Sequence, residues 1–168
     1  MTMFFRIAWV VCLVVGLRAA ASGQTVNEGA WMVGGSAGLS VSNVADITMV
    51  TFGLNPSAGY FLQDDLAVGG QLGLAIIGGD VETTSAVSIV PFARYYFGSP
   101  FFAQAGIGLS SSEGHTESIL RLMGGYSIFL NPAVSLEPVI SIRFEDGFER
   151  SFILFGVGLQ VFLQRVEK

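Results

Sequence analysis

Read in steps of two, the stretch 151–163 separates into two unlike faces. Ile153, Phe155, Val157, Leu159, Val161 and Leu163 form one unbroken apolar face. Phe152, Leu154, Gly156, Gly158, Gln160 and Phe162 form a face of small and mixed residues. Alternation with period 2 predicts a β-strand. The pattern recurs along the chain and predicts further strands over about 30–42, 47–61, 66–77, 85–97, 101–110, 118–130 and 133–144. Gln63-Asp64-Asp65, Gly98-Ser99-Pro100 and Asn131-Pro132 read as tight turns, and 43–46, 78–84, 111–117 and 145–149 read as polar loops. Pro56 has no N–H for a ladder and predicts a bulge or local unpairing in the second strand. Phe61-Leu62-Gln63-Asp64 and Phe129-Leu130-Asn131-Pro132 stand at equivalent turns, which reads as repeated hairpin chemistry rather than a solenoid repeat.

Eight strands of about 10–14 residues are long for a globular protein, where about 5–6 is usual. They suit the roughly 9–11 residues that cross a membrane. The apolar faces carry no charge, and the mid-strand charges Arg94, Arg121, Glu137 and Arg143 all fall on the other face. Eleven glycines share that mixed face and three lie on the apolar one. The lumen of an eight-stranded barrel is filled by side chains, and glycines there make room for long polar and aromatic groups. A soluble ligand-carrying barrel would show the reverse pattern, apolar inside and polar outside. The fold class that follows is all-β: an eight-stranded antiparallel up-and-down transmembrane β-barrel. Arg94, Arg121, Glu137 and Arg143 are expected to form a polar network that plugs the lumen, with an ion path or gate as the alternative. In the closing strand, Gly156, Gly158, Gln160 and Phe162 are expected to face the lumen. The free edge of that strand should pair with the strand beginning near Trp31, so that no edge stays open in lipid.

The bulk numbers agree. The chain has 168 residues, 51% hydrophobic and 12% charged, and its mean hydropathy is +0.62. Past the N-terminus no apolar run approaches the roughly 20 residues of a membrane helix. At the N-terminus, Arg6, an apolar run over 7–17 and the small residues Ala19, Ala20, Ala21, Ser22 and Gly23 read as a secretory signal peptide over 1–23. Cleavage falls at Ala21/Ser22 or at Gly23/Gln24, and the run is short for the alternative, a membrane anchor. The barrel domain then spans 24–168. Cys12, the one cysteine, lies inside the apolar run without a lipoprotein motif, so the mature chain is cysteine-free. Without Arg6 and Arg18, six basic residues stand against thirteen acidic ones, a net charge of −7 that disfavours nucleic acid. Aromatics flank the short turns (Tyr60, Phe61, Tyr95, Tyr96, Phe97, Phe101, Phe102, Tyr126 and Phe129), and eight of the thirteen acids sit in the polar loops. Aromatics gather at membrane interfaces, and the longer loops of such barrels face outward. Both termini are therefore expected in the periplasm.

With eight spans, the motifs Pro56-Ser57-Ala58-Gly59-Tyr60-Phe61 and Pro91-Phe92-Ala93-Arg94-Tyr95-Tyr96-Phe97 and the closing strand resemble the small eight-stranded outer-membrane barrels of the OmpA/OmpX type. The resemblance covers about 31–163. It implies residence in the cell outer membrane among lipid and lipopolysaccharide, insertion by the barrel-assembly machinery, a monomer, and no shared catalytic activity. One departure is that the final aromatic, Phe162, is followed by Leu163 and a five-residue tail.

Chemistry-bearing motifs are few. His115, the single histidine, stands near Ser110, Ser111, Ser112, Glu113 and Glu117. A lipid-modifying hydrolase would need a fixed Ser–His–acid geometry; His115 is instead expected in a solvated loop. A lone histidine also makes a poor metal site. Gly69-Gly70-Gln71-Leu72-Gly73 lies in a strand without a following lysine or helix and is no phosphate loop. No catalytic residue, cofactor or metal is expected. The reading is a non-enzymatic integral barrel of the envelope, acting in structure or surface interaction; the alternatives are a narrow channel for ions or small solutes and a lipid-modifying enzyme.

Overall fold

A computed structural model of the chain describes residues 27–44, 47–80, 82–97, 100–145 and 150–163. The expected signal peptide at 1–23 and the loop acids Asp46, Asp146 and Glu149 lie outside the described residues. Alternating sequence becomes β1 (Trp31–Val44), β2 (Ile47–Gln63), β3 (Leu66–Gly79), β4 (Thr84–Tyr96), β5 (Phe101–Ser112), β6 (His115–Tyr126), β7 (Ile128–Asn131), β8 (Val134–Glu145) and β9 (Arg150–Leu163). Their order in the sheet is β6-β5-β4-β3-β2-β1-β9-β8-β7, and a β6–β8 pairing closes the ring. Every pairing is antiparallel. β6 and β7 are one stave interrupted at Ser127, and both pair with β8. The barrel therefore has the eight staves that the sequence predicts. β1 and β9 pair from Trp31↔Leu163 to Leu39↔Phe155, as expected for the closing strand.

Three strands carry an internal proline, and each skips ladder partners on one side only. At Pro56 the β2–β3 ladder passes from Leu54↔Leu74 to Ser57↔Gln71. At Pro91 the β4–β5 ladder passes from Ile89↔Leu109 to Phe92↔Gly106. At Pro138 the partner of β8 passes from Gly125↔Val139 to Ile128↔Leu136, which separates β6 from β7. The register is the same on both sides of each gap, so Pro56 brings the expected unpairing but no bulge. A proline removes one donor without adding a residue. Register shifts fall instead between Phe61 and Gln63 and between Phe129 and Asn131. Those are the two sequence echoes, and the shared chemistry is a bulge at each of these hairpins.

The strands run further than their composition suggests. The expected loop at 111–117 is a two-residue connection, Glu113-Gly114, between β5 and β6. Both residues have positive φ, 49° and 83°, as a type I′ hairpin turn requires. His115 is consequently the first residue of β6, paired with Ser112, and not a loop residue. Serines and acids mark where the wall leaves the apolar band, whereas the ladder continues into water. The contrast between long loops and short turns is correspondingly weak, and the two ends differ in chemistry more than in length.

Along β4, burial alternates without a break. Outward positions are apolar and exposed: Ile107 is 68% exposed and Phe155 65%. This inverts the pattern of a water-soluble barrel and leaves a belt that only lipid matches. No helix among the described residues is long and apolar enough to cross a membrane. At the end holding the turns 64–65 and 132–133, outward rings pair edge-on: Trp31 with Tyr60, Tyr95 with Phe97, and Phe101 with Tyr126, at 5.2, 5.2 and 4.8 Å between centroids. They form an interfacial girdle from Tyr60, Tyr95, Phe97, Phe101 and Tyr126 with Trp31 added, whereas Phe61, Tyr96, Phe102 and Phe129, expected with them, turn into the lumen because their parity is the inward one. Val157 faces outward at the middle of β9, opposite Ala37 and Pro138. Val157→Arg is expected to destabilise the barrel in phospholipid vesicles by about 2–4 kcal/mol, read from urea unfolding. An unchanged midpoint would put this face outside the hydrocarbon.

Candidate functional site in the barrel lumen

The lumen is built in layers from inward-facing positions. At the short-turn end an aromatic and methionine cluster fills it: Met32, Phe61, Phe92, Tyr96, Phe102, Met123 and Phe162 are buried, with Phe129 and Val139 packed against them. Phe162 is central, with ring centroids 5.5 Å from Phe129, 6.2 Å from Phe61 and 6.4 Å from Tyr96. Glycines elsewhere in the wall clear space for inward side chains. A Cβ on Gly125 would lie 2.5 Å from the Phe102 ring, and one on Gly34 would lie 2.5 Å from Oε1 of Gln160.

Against this cluster lies a buried ion pair. Arg94 on β4 is 2% exposed and Glu137 on β8 is 0% exposed. Arg94 Nη1 donates to Glu137 Oε2 at 2.9 Å, reaching across the lumen. Glu137 Oε1 also accepts from Ser127 Oγ at 2.7 Å and from Ser135 Oγ at 3.1 Å. Arg94 Nε donates to Gln104 Oε1 at 2.8 Å, Nη1 approaches Tyr96 Oη at 3.2 Å, and the guanidinium carbon stands 4.1 Å from the centre of the Phe102 ring. A buried pair is tolerated when its remaining donors and acceptors are satisfied this fully.

Arg121 forms the next layer. It is buried, and its Nη1 donates to Asn55 Oδ1 at 2.9 Å and to Gln71 Oε1 at 2.8 Å. Arg143 forms a third layer nearer the loop end, with Nε 3.0 Å from Glu145 Oε1 and its guanidinium 5.7 Å from the Phe152 ring centre. The Arg143 Nε contact is an ion pair without hydrogen-bond geometry. All four charges singled out in the sequence thus face the lumen, but they do not form one network. Among the four only Arg94 and Glu137 form an ion pair; Arg121 donates to neutral amides and stands in electrostatic reach of Arg143 and Glu145, and Arg143 pairs with Glu145.

No protein-family model matches the chain, and no curated protein matches it. Solved structures do. The N-terminal β-barrel domain of OprF from Pseudomonas aeruginosa is 16% identical with a TM-score of 0.57, over 83% of this chain and 100% of that one. Neisserial surface protein A is 18% identical with a TM-score of 0.57, over 80% and 97%. The outer membrane protein Ail of Yersinia pestis is 13% identical with a TM-score of 0.55, over 81% and 100%. The fold is that of the small eight-stranded outer-membrane barrels. At these identities the likeness concerns fold alone.

Within this outer-membrane-type barrel the closing strand takes its expected place. Gly156 stands opposite Gly38 and Val139, Gly158 opposite Ser36 and Glu137, and Gln160 opposite Gly34 and Ser135. Gln160 and Phe162 are buried. Sequence reading missed the neutral partners Ser127, Ser135, Gln104, Asn55 and Gln71. Inward parity marks them, but which charge each one serves depends on contacts across the lumen. His115 is exposed, and the hydroxyl of Ser112 opposite it donates to the Ser85 carbonyl at 3.1 Å.

Toward the loop end the lumen widens into a cavity of about 300 Å³, lined among others by Met49, His115, Glu117, Glu145 and Phe152. Beneath it lies a recess of about 40 Å³. Thr51, Ser110 and Arg143 line both.

Proposed function

We propose that the protein is a non-enzymatic integral barrel of the outer membrane, sealed in its short-turn half, that serves envelope structure or surface interaction. The observation that carries this reading is the Arg94–Glu137 pair set against the aromatic cluster around Phe162. Together they occupy the cross-section with satisfied polar groups and packed rings. An ion crossing this level would have to break a buried, multiply hydrogen-bonded pair. The girdle of outward rings supports placing the start of β1 and the end of β9 on the periplasmic side. Outer-membrane lipid and lipopolysaccharide then solvate the apolar belt, and the barrel-assembly machinery inserts a monomer. The hydroxyl of Ser112, engaged with a carbonyl, and the exposed position of His115 support a role without catalysis.

Recording in planar bilayers tests the seal. The wild-type barrel is expected to show no stable unitary openings. Openings in the wild type that change with Arg94→Met or Glu137→Ala would establish the narrow-channel reading in its place.

A further inference from the structure

The recess between the Arg121 and Arg143 layers has a charge arrangement that the plug does not require. Its lining includes both arginines and the hydroxyl residues Ser36, Ser88, Ser110 and Ser141, and no carboxylate among the described residues. Arg121 and Arg143 are register partners on β6 and β8. Arg121 Nη1 donates to the neutral amides of Asn55 and Gln71, and its Nε has no hydrogen-bond partner. Glu145, the counter-charge of Arg143, lines the upper cavity and not the recess, as does Glu117. Two guanidinium groups on neighbouring strands of a membrane-embedded lumen, with Glu145 in electrostatic reach of both, are costly unless further charge of opposite sign is shared between them.

We propose that this recess binds a small monovalent anion of halide size, held between Arg121 and Arg143 with serine hydroxyls as further donors. A volume of about 40 Å³ holds a few water-sized groups, which excludes sugars, phosphate esters and peptides. The ion enters from the loop end through the upper cavity, past Arg143. Below the recess, the Arg94–Glu137 layer is charge-balanced and offers no second site. The anion thus adds to Glu145, whose single charge faces both Arg121 and Arg143, whereas Glu137 balances Arg94 alone. This holds whether or not the barrel conducts, so the bilayer recording and the test below fail independently.

The test compares thermal unfolding of the refolded barrel in detergent, followed by circular dichroism, in potassium bromide and potassium gluconate at equal ionic strength. Bromide is expected to raise the wild-type midpoint saturably, by roughly 3–5 °C well above half-saturation. Arg121→Met is expected to fold and to lose the difference between the two salts. Equal wild-type midpoints in the two salts, or an undiminished bromide effect in Arg121→Met, would overturn the assignment. Bromide anomalous scattering from wild-type crystals decides the matter even if the variant does not fold. A peak between Arg121 and Arg143 supports the site, and no peak there refutes it.

Discussion

Glu137→Ala is expected to lower the unfolding free energy by about 3–5 kcal/mol, the usual consequence of stripping one partner from a buried ion pair. The loss has two parts. Arg94 keeps its charge at a position 2% exposed with its carboxylate gone. Ser127 and Ser135 lose the acceptor that both hydroxyls share. Removing an exposed loop acid, as in Glu82→Ala, should change stability by no more than about 0.5 kcal/mol. Urea unfolding in detergent micelles compares the two. The double variant Arg94→Met with Glu137→Met should recover much of the loss, since an apolar replacement of a buried pair is often neutral. Equal effects of Glu137→Ala and Glu82→Ala would remove the ion pair from the account.

Phe162→Ala is expected to cost a similar amount, about 3–5 kcal/mol, because it deletes the ring at the centre of the luminal cluster. Phe129, Phe61 and Tyr96 all stand within ring-contact distance of it. The strands on either side restrict collapse into the space. Leu163, the next residue on β9, faces outward opposite Trp31, and Leu163→Ala should cost several-fold less. The reverse order would mean that β9 is turned with its mixed face to lipid.

Most of the wall was legible in the sequence because a strand exposes its geometry as a period of two. The inward positions of Arg94, Arg121, Glu137 and Arg143, and of Gly156, Gly158, Gln160 and Phe162, follow from parity alone. The pairing of β9 with β1 follows from the need to leave no edge in lipid. What parity does not contain is the level of each residue along the barrel axis. Arg94 meets Glu137 because the stagger of β4 and β8 places them at one height. Arg121 meets Asn55 and Gln71 for the same reason. The ends of strands were misread for a different cause. Ser110, Ser111, Ser112 and His115 are polar, which reads as the end of the ladder, whereas the hairpin continues past the apolar band to Glu113-Gly114. Proline carried a mixed signal. The lost donor at Pro56 was readable, but the break between β6 and β7 arises on the strand opposite Pro138 and not on the strand that contains it.

The central claim is that this chain crosses an outer membrane as a closed barrel whose apolar face meets lipid. Membrane fractionation combined with gel migration before and after heating tests it most directly. The account predicts recovery in the outer-membrane fraction and a folded band whose migration shifts on boiling, because a closed ladder resists detergent at room temperature. A soluble product with the same migration before and after boiling would contradict it.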